Sequence, residues 1–450
     1  MLSGRAGETR LALLVSALIL LRFVSAASLP LSFDEAYYWL WSQHLAAGYF
    51  DHPPAIAFLI RAGTTLFGNT AFGVRVFAVA LSAAASLAVW QAARIILNDR
   101  GLAWTACIFF NLTLMIAAET MAATPDAPAV AASAFFLWAI AKAQGSGNGR
   151  WWLAAGIAAG LALLSKYTGF FLGAGALAWC VFTAEGRRWL ATPWPYLGAV
   201  LALALFAPVV WWNAQHDWAS FRLQFGRVGD GAFTLRYLGE FLGGQLALAS
   251  PFIFILGVFG LTQRNSGKPL LSLVIASVVP AMLYFLWQSL HSRVQGNWPS
   301  FLYPAFAIAA AHAAYETVRH PGVSNLLRFS RRAAVPTAFL LLIAVYVQVL
   351  FAPLSLGKND PVARILAMGM QPAMDQIADI YRNTGARGVL TTNYALAGWL
   401  AFYLPHNIPV IAANEPQRWQ DWPEASDTLL SGPLLYVTEE RRDEKLRFES

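Results

Sequence analysis

The side chains able to do chemistry fall in a few short stretches of an otherwise apolar chain. Asp34 and Glu35 open the run Phe33-Asp34-Glu35-Ala36-Tyr37-Tyr38-Trp39, and Phe50-Asp51-His52-Pro53-Pro54 follows closely. Glu119 and Asp126 form a second acid group, the latter flanked by Pro125 and Pro128. Cations complement them: Lys166 in Ser165-Lys166-Tyr167, His291 and Arg293 in the stretch that ends Gln295-Gly296-Asn297-Trp298-Pro299, and Arg222, Arg227 and Arg236 between them. A carboxylate beside an acceptor hydroxyl can take its proton as the oxygen attacks. A cation beside a phosphate stabilises the charge left on a departing group. The two together suit group transfer from a phosphate-activated donor. No Asp-x-Asp pair occurs in the chain, so the usual metal site for a nucleotide sugar is missing and no nucleotide cofactor is expected. Each residue also has a plainer reading. Asp34 and Asp126 can cap helix N-termini, His52 can be a solvated loop histidine, and Lys166, the loop arginines and Arg22 can be anchors that snorkel to the membrane surface.

The elements that must position these groups are membrane helices. Of 450 residues, 58% are hydrophobic and 12% charged, against roughly 25% charged in soluble domains. The net charge of +7 comes from short basic runs between apolar segments, the pattern of cytoplasmic loops rather than of nucleic-acid binding. Cys107 and Cys180 lie inside apolar segments without metal-ligand spacing. A span needs about 20 apolar residues. Eleven candidates begin near Leu11, Gly73, Leu102, Ala127, Trp151, Thr168, Pro193, Glu240, Pro269, Pro299 and Ala333, the first read as an uncleaved helix. The pair at Trp151 and Thr168 is divided only by Ser165-Lys166-Tyr167. Basic residues, Arg264 and Lys268 among them, fall in alternate loops, which puts the N-terminus inside and both acid groups outside. Residues 1–354 then form a transmembrane domain whose first outside loop, 30–72, carries an amphipathic surface helix over Glu35 to Leu45. Residues 355–450 form a small outside domain: Gly388 to Thr392, Pro409 to Ala412 and Leu434 to Val437 read as strands and Tyr394 to Leu404 as a helix. The fold class is thus an all-α polytopic membrane protein with a small C-terminal α/β domain.

These residues resemble a family. Asp34-Glu35-Ala36-Tyr37-Tyr38-Trp39, Asp51-His52-Pro53-Pro54, Thr124-Pro125-Asp126, Ser165-Lys166-Tyr167 and Gln295-Gly296-Asn297-Trp298-Pro299 are similar in type and order to motifs of the bacterial relatives of protein O-mannosyltransferases and of the lipid A aminoarabinose transferase. Ala401-Phe402-Tyr403-Leu404-Pro405 and Trp422-Pro423 resemble that family's C-terminal pattern. The resemblance implies the GT-C glycosyltransferase fold, a polyprenyl-phosphate sugar donor, and inverting transfer to a lipid or glycan acceptor at the periplasmic face of a bacterial inner membrane. It carries the general-base role onto Asp34, with Glu35 as the second catalytic carboxylate. Tyr37, Asp51, His52 and Asp126 would line the sugar and acceptor pocket. Lys166, Tyr167, His291 and Arg293 would hold the donor phosphate, although many relatives have lysine at the Arg293 position. A divalent metal stays open, with Glu35 and Asp126 as its candidate ligands. The competing class is a polytopic transporter or lipid flippase, which would place polar groups near mid-membrane between repeated halves.

Overall fold

Each of the eleven apolar stretches becomes helical in the computed structural model, which describes residues 5–229, 231–263, 268–320, 322, 324–354, 365–366, 368–423 and 425–439. The helices are α1 (Arg5–Ser28), α2 (Phe33–Gln43), α3 (Ala55–Phe67), α4 (Ala71–Leu97), α5 (Arg100–Leu112), α6 (Leu114–Glu119), α7 (Asp126–Ser146), α8 (Trp151–Ser165), α9 (Phe170–Phe182), α10 (Ala184–Leu190), α11 (Trp194–Gln215), α12 (Ala219–Gly226), α13 (Arg236–Leu248), α14 (Pro251–Leu261), α15 (Leu271–Ser289), α16 (Tyr303–Arg319) and α17 (Asn325–Phe351).

Length divides them. Among the described residues six helices are long and apolar enough to cross a membrane: α1, α4, α7, α11, α15 and α17. Two bent pairs, Tyr167–Phe182 with α10 and α13 with α14, raise the number to eight, at bends of 104° and 107°. The expected count of eleven is therefore not reached. The apolar runs in the sequence continue through polar breaks that stop the helices. Thr113 ends α5 after 13 residues and caps α6, and α8 stops at Ser165 after 15 residues. Arg264, expected in an inside loop, lies outside the described residues.

Close helix contact depends on small residues, as suits a bundle without a hydrophobic drive between helices. A Cβ on Gly156 of α8 would stand 2.2 Å from the carbonyl oxygen of Gly198 in α11. Arg22 corrects an expectation. It does not snorkel but is buried within the bundle, donating to the side chain and carbonyl of Asn111 at 3.0 Å each. A charge flanked by apolar turns on both sides is cheaper to satisfy with a neighbouring amide than to extend to water.

The C-terminal segment forms a parallel three-stranded sheet, β1 (Gly388–Thr391), β2 (Val410–Ala412) and β3 (Leu434–Tyr436), in the order β2-β1-β3. The parallel register pairs Val389 with Val410 and with Leu435. Helix Tyr394–Tyr403 crosses between β1 and β2, as the sequence predicts. The start and end of the expected domain, at 355 and 450, lie outside the described residues. Its helix shares one hydrophobic core with α2 and α3, in which Tyr37, Trp41, Ile56, Ile60, Trp399 and Leu400 are buried together. Trp399 donates to the Leu31 carbonyl at 3.0 Å, and the Leu31 N–H donates to the Tyr403 hydroxyl at 2.7 Å. The sheet segment is thus fastened onto the helix that carries Asp34.

Candidate active site

Local sequence fixes the helix that presents Asp34. Ser32 is the N-cap of α2: its hydroxyl accepts from the Glu35 N–H at 3.2 Å, and the Glu35 carboxylate accepts from the Ser32 N–H at 2.9 Å. This reciprocal box starts the helix at Phe33, two residues before the expected start, and ends it at Gln43. The cap is Ser32, so Asp34 is released from that duty. Asp126 is not a cap either; it is the first residue of α7, behind Pro125.

Three ion pairs then gather the predicted acids. Glu35 is fully buried against Arg75 of α4, with Nε and Nη2 each 2.6 Å from a carboxylate oxygen. It also accepts from the Ala123 N–H at 2.9 Å. Burial works to raise its pKa, but the Arg75 charge and these hydrogen bonds outweigh it and hold the carboxyl below its usual range. Both oxygens of Glu35, expected as a catalytic or metal-binding carboxylate, are taken by these bonds, which tie α2 to α4. Asp126 takes the Lys166 ammonium on both oxygens at 2.8 Å, with the Asn297 amide at 2.9 Å and the Ser300 hydroxyl also donating. Asp51 accepts from the Tyr37 hydroxyl at 3.0 Å and from the Arg418 guanidinium.

Asp34 stands among these pairs. The charges that act on it are Asp51, Glu35, Asp126 and Lys166, and its own carboxylate has no hydrogen bond or ion pair among the described residues. Burial first, then the three neighbouring acids, push it up to about 7, with Lys166 opposing. A carboxyl poised there is half ionised near neutral pH, the condition under which a general base works best. His52 lies in the loop before α3, half-buried, with its Nδ1 enclosed rather than solvated. Burial, then Lys166, Arg227 and Arg418, push it down to about 3, so the ring is neutral, and its Nδ1 has no partner among the described residues.

The residues expected at the donor phosphate fall in two separate places. Lys166 sits beside Asp126 and within electrostatic reach of Asp34. Tyr167 packs against Phe206 and Phe221. His291 and Arg293 are not drawn into the cluster: His291 bonds the Trp287 carbonyl at 3.0 Å, and exposed Arg293 pairs with Glu240 at 3.3 Å. From that stretch only Asn297 and Ser300 reach Asp126, because the chain turns inward at the short helical turn Ser300–Leu302. Among the described residues no three His, Cys, Asp or Glu side chains converge on a metal-sized site. Glu35 and Asp126 are each already matched by a buried cation, so the donor set does not fit a divalent ion.

Sequence reasoning missed Arg75 and Arg418. Arg75 carried a usable signal, a lone charge in an apolar run. Arg418 had none, being one arginine in a polar tail.

A model of the dolichyl-phosphate-mannose-protein mannosyltransferase family matches residues 51–212. That segment holds Asp51, His52, Arg75, Asp126 and Lys166. ArnT from Cupriavidus metallidurans, solved with undecaprenyl phosphate bound, superposes with a TM-score of 0.62 over 96% of this chain and 90% of its own, at 18% identity. The chain has the GT-C glycosyltransferase fold. The archaeal oligosaccharyltransferase AglB from Archaeoglobus fulgidus shares this GT-C architecture more distantly, with a TM-score of 0.55 and 13% identity over 92% of this chain and 65% of its own. In sequence, the lipid A galacturonosyltransferase RgtD of Rhizobium johnstonii is 27% identical over 292 residues, 63% of this chain. The aligned part spans 60% of the length of that curated relative. Within the GT-C frame, the acid cluster lies on α2 and at the start of α7.

Proposed function

We propose that this protein is a membrane glycosyltransferase that moves a sugar from a polyprenyl-phosphate donor to an acceptor hydroxyl, with Asp34 as general base. The observation that carries the reading is electrostatic. Of the gathered carboxylates at 34, 35, 51, 119 and 126, Asp34 is the one without a hydrogen bond or ion pair among the described residues. In the proposed step Asp34 accepts the proton of the acceptor hydroxyl as its oxygen attacks the anomeric carbon. The bond from that carbon to the phosphate oxygen breaks, the configuration inverts, and polyprenyl phosphate leaves. Lys166 has three N–H donors and spends two on Asp126, leaving one for the phosphate. Asp126, Asn297 and Ser300 hold that ammonium in place. Tyr37, Asp51 and His52 line the acceptor side.

The acceptor is lipid A or another envelope glycan, with protein hydroxyls second. The likeness to RgtD supports lipid A, and the likeness to ArnT supports a polyprenyl phosphate carrier. The basic loops support a site on the periplasmic side of a bacterial inner membrane. A transporter or flippase is not favoured, because the acids cluster at helix starts rather than at mid-span. The test is mass spectrometry of lipid A from cells with the wild-type protein, with Asp34→Asn, and without it. Wild-type cells should show one added glycosyl mass that the other two lack. Identical lipid A and glycan spectra in all three would refute the reading.

A further inference from the structure

The turn Asn414–Gln417 is exposed, yet the next residue, Arg418, reaches inward with a side chain 9% exposed. We infer that Arg418, supplied by the C-terminal segment, is a positioning residue for the transfer step: it fixes Asp51 and Tyr37 beside Asp34. The inference rests on the glycosyltransferase reading above.

The guanidinium is enclosed by three rings, with its carbon 4.2 Å from the centre of Tyr394, 5.2 Å from Phe50 and 5.7 Å from Tyr37. One nitrogen serves both Asp51 and the Tyr37 hydroxyl, the latter at 3.3 Å. The other two hold Glu415 at 2.8 and 3.2 Å. A planar fork stacked between rings is a role lysine cannot reproduce. Glu415 itself adopts φ +54°, a left-handed conformation that a non-glycine residue holds only when its surroundings impose it. The segment is pinned beyond Arg418 as well. Trp419 meets Tyr37 edge-on, Trp422 lies over His44, and Asp421 accepts from Trp212 at 3.0 Å and pairs with His216 at 3.1 Å.

Such a strap acts on Asp34 through Asp51. The groups facing Asp34 are Asp51, Glu35, Asp126, Lys166, Tyr38 and Glu119; those facing Asp51 are Arg418, Tyr37, Arg227, Glu415, Asp34, Tyr38 and Tyr167. Asp51 is the strongest charge acting on Asp34, and Arg418 is the cation that neutralises it. Without Arg418, an uncompensated Asp51 makes ionisation of Asp34 harder.

The experiment uses the full chain in nanodiscs, with a polyprenyl-lipid extract of the source cells as donor, lipid A as acceptor, and the rate followed from pH 5.5 to 9. Arg418→Gln should move the alkaline-rising limb up by about one pH unit, the effect of one unmatched neighbouring charge, and slow transfer at pH 7 about fivefold, as the ionised fraction of Asp34 falls from about one half to about one tenth. Arg418→Lys should keep the wild-type limb, since the charge remains, while running slower. Asp51→Asn/Arg418→Gln should bring the limb back. An Arg418→Gln protein with the wild-type limb overturns the inference. Should that variant unfold, Arg418→Lys decides, and a displaced limb there overturns it too. Absence of transfer by the wild-type chain removes the glycosyltransferase reading and this inference with it.

Discussion

Replacing Arg75 with Met tests how the site is held. Arg75 and Glu35 have no exposed side-chain surface. Arg75 donates to Glu35 twice, to the carbonyls of Leu29 and Pro30 at 2.7 Å each, and to that of Ala26 at 3.3 Å. Through these bonds it ties the end of α1, the start of α2 and α4 to one another, while Glu35 adds the turn at Ala123. Removing one member of a buried pair costs about 3–5 kcal/mol, because the other is left charged and unmatched. The freed carbonyls add about 1 kcal/mol each where water does not reach them. With one to three of these carbonyls left dry, the loss should be about 4–8 kcal/mol, a large part of a typical stability of about 5–15 kcal/mol. Glu35→Gln/Arg75→Met removes the stranded charge but keeps an amide oxygen for only one of the Ser32 and Ala123 N–H groups, which bond different carboxylate oxygens, so it should recover part of the loss, about half at most. The assay is equilibrium unfolding of the purified protein in mild detergent, for the wild type, both single variants and the double variant. An Arg75→Met protein within about 1 kcal/mol of wild type, or a double variant no more stable than Arg75→Met, would refute the argument.

Other consequences are open to measurement. Asp34 is pushed up to about 7, and as the proposed base it would work only when ionised, so the transfer rate should rise through that pH and level off above it; Asp34→Asn should abolish the limb and lower the rate by at least about 100-fold. Glu35 is held below its usual range; a depressed carboxyl contributes stability at neutral pH that is lost on acidification, so the unfolding midpoint should fall below about pH 4, and less so in Glu35→Gln. A Cβ on Gly398 would lie 2.7 Å from the Tyr37 nitrogen. Gly398→Val should therefore lift helix Tyr394–Tyr403 off α2, lowering transfer while membrane insertion, followed by protease protection, is unchanged.

What could be read in the sequence was short-range. The apolar runs located the long helices of the bundle, since burial in lipid demands backbone hydrogen bonds within one segment. The alternation of strand and helix between Gly388 and Tyr436 was legible because turns and apolar patches are local. The motif at Phe33 to Trp39 located the helix that carries Asp34. Even there, Asp34 could have served as the helix cap, and only the formed box between Ser32 and Glu35 shows that it does not.

Charge pairing was not local. Glu35 meets a partner 40 residues away, Asp126 meets Lys166 at 40 and Ser300 at 174, and Asp51 meets Arg418 at 367. The sequence by itself determined that this chain lies in a membrane, where its helices begin, and that its acids gather near Asp34. Tertiary structure alone decided which carboxylate keeps its charge to spare. An ionisable group takes its function from the cations and dielectric around it, and those arrive from other helices only once the chain has folded.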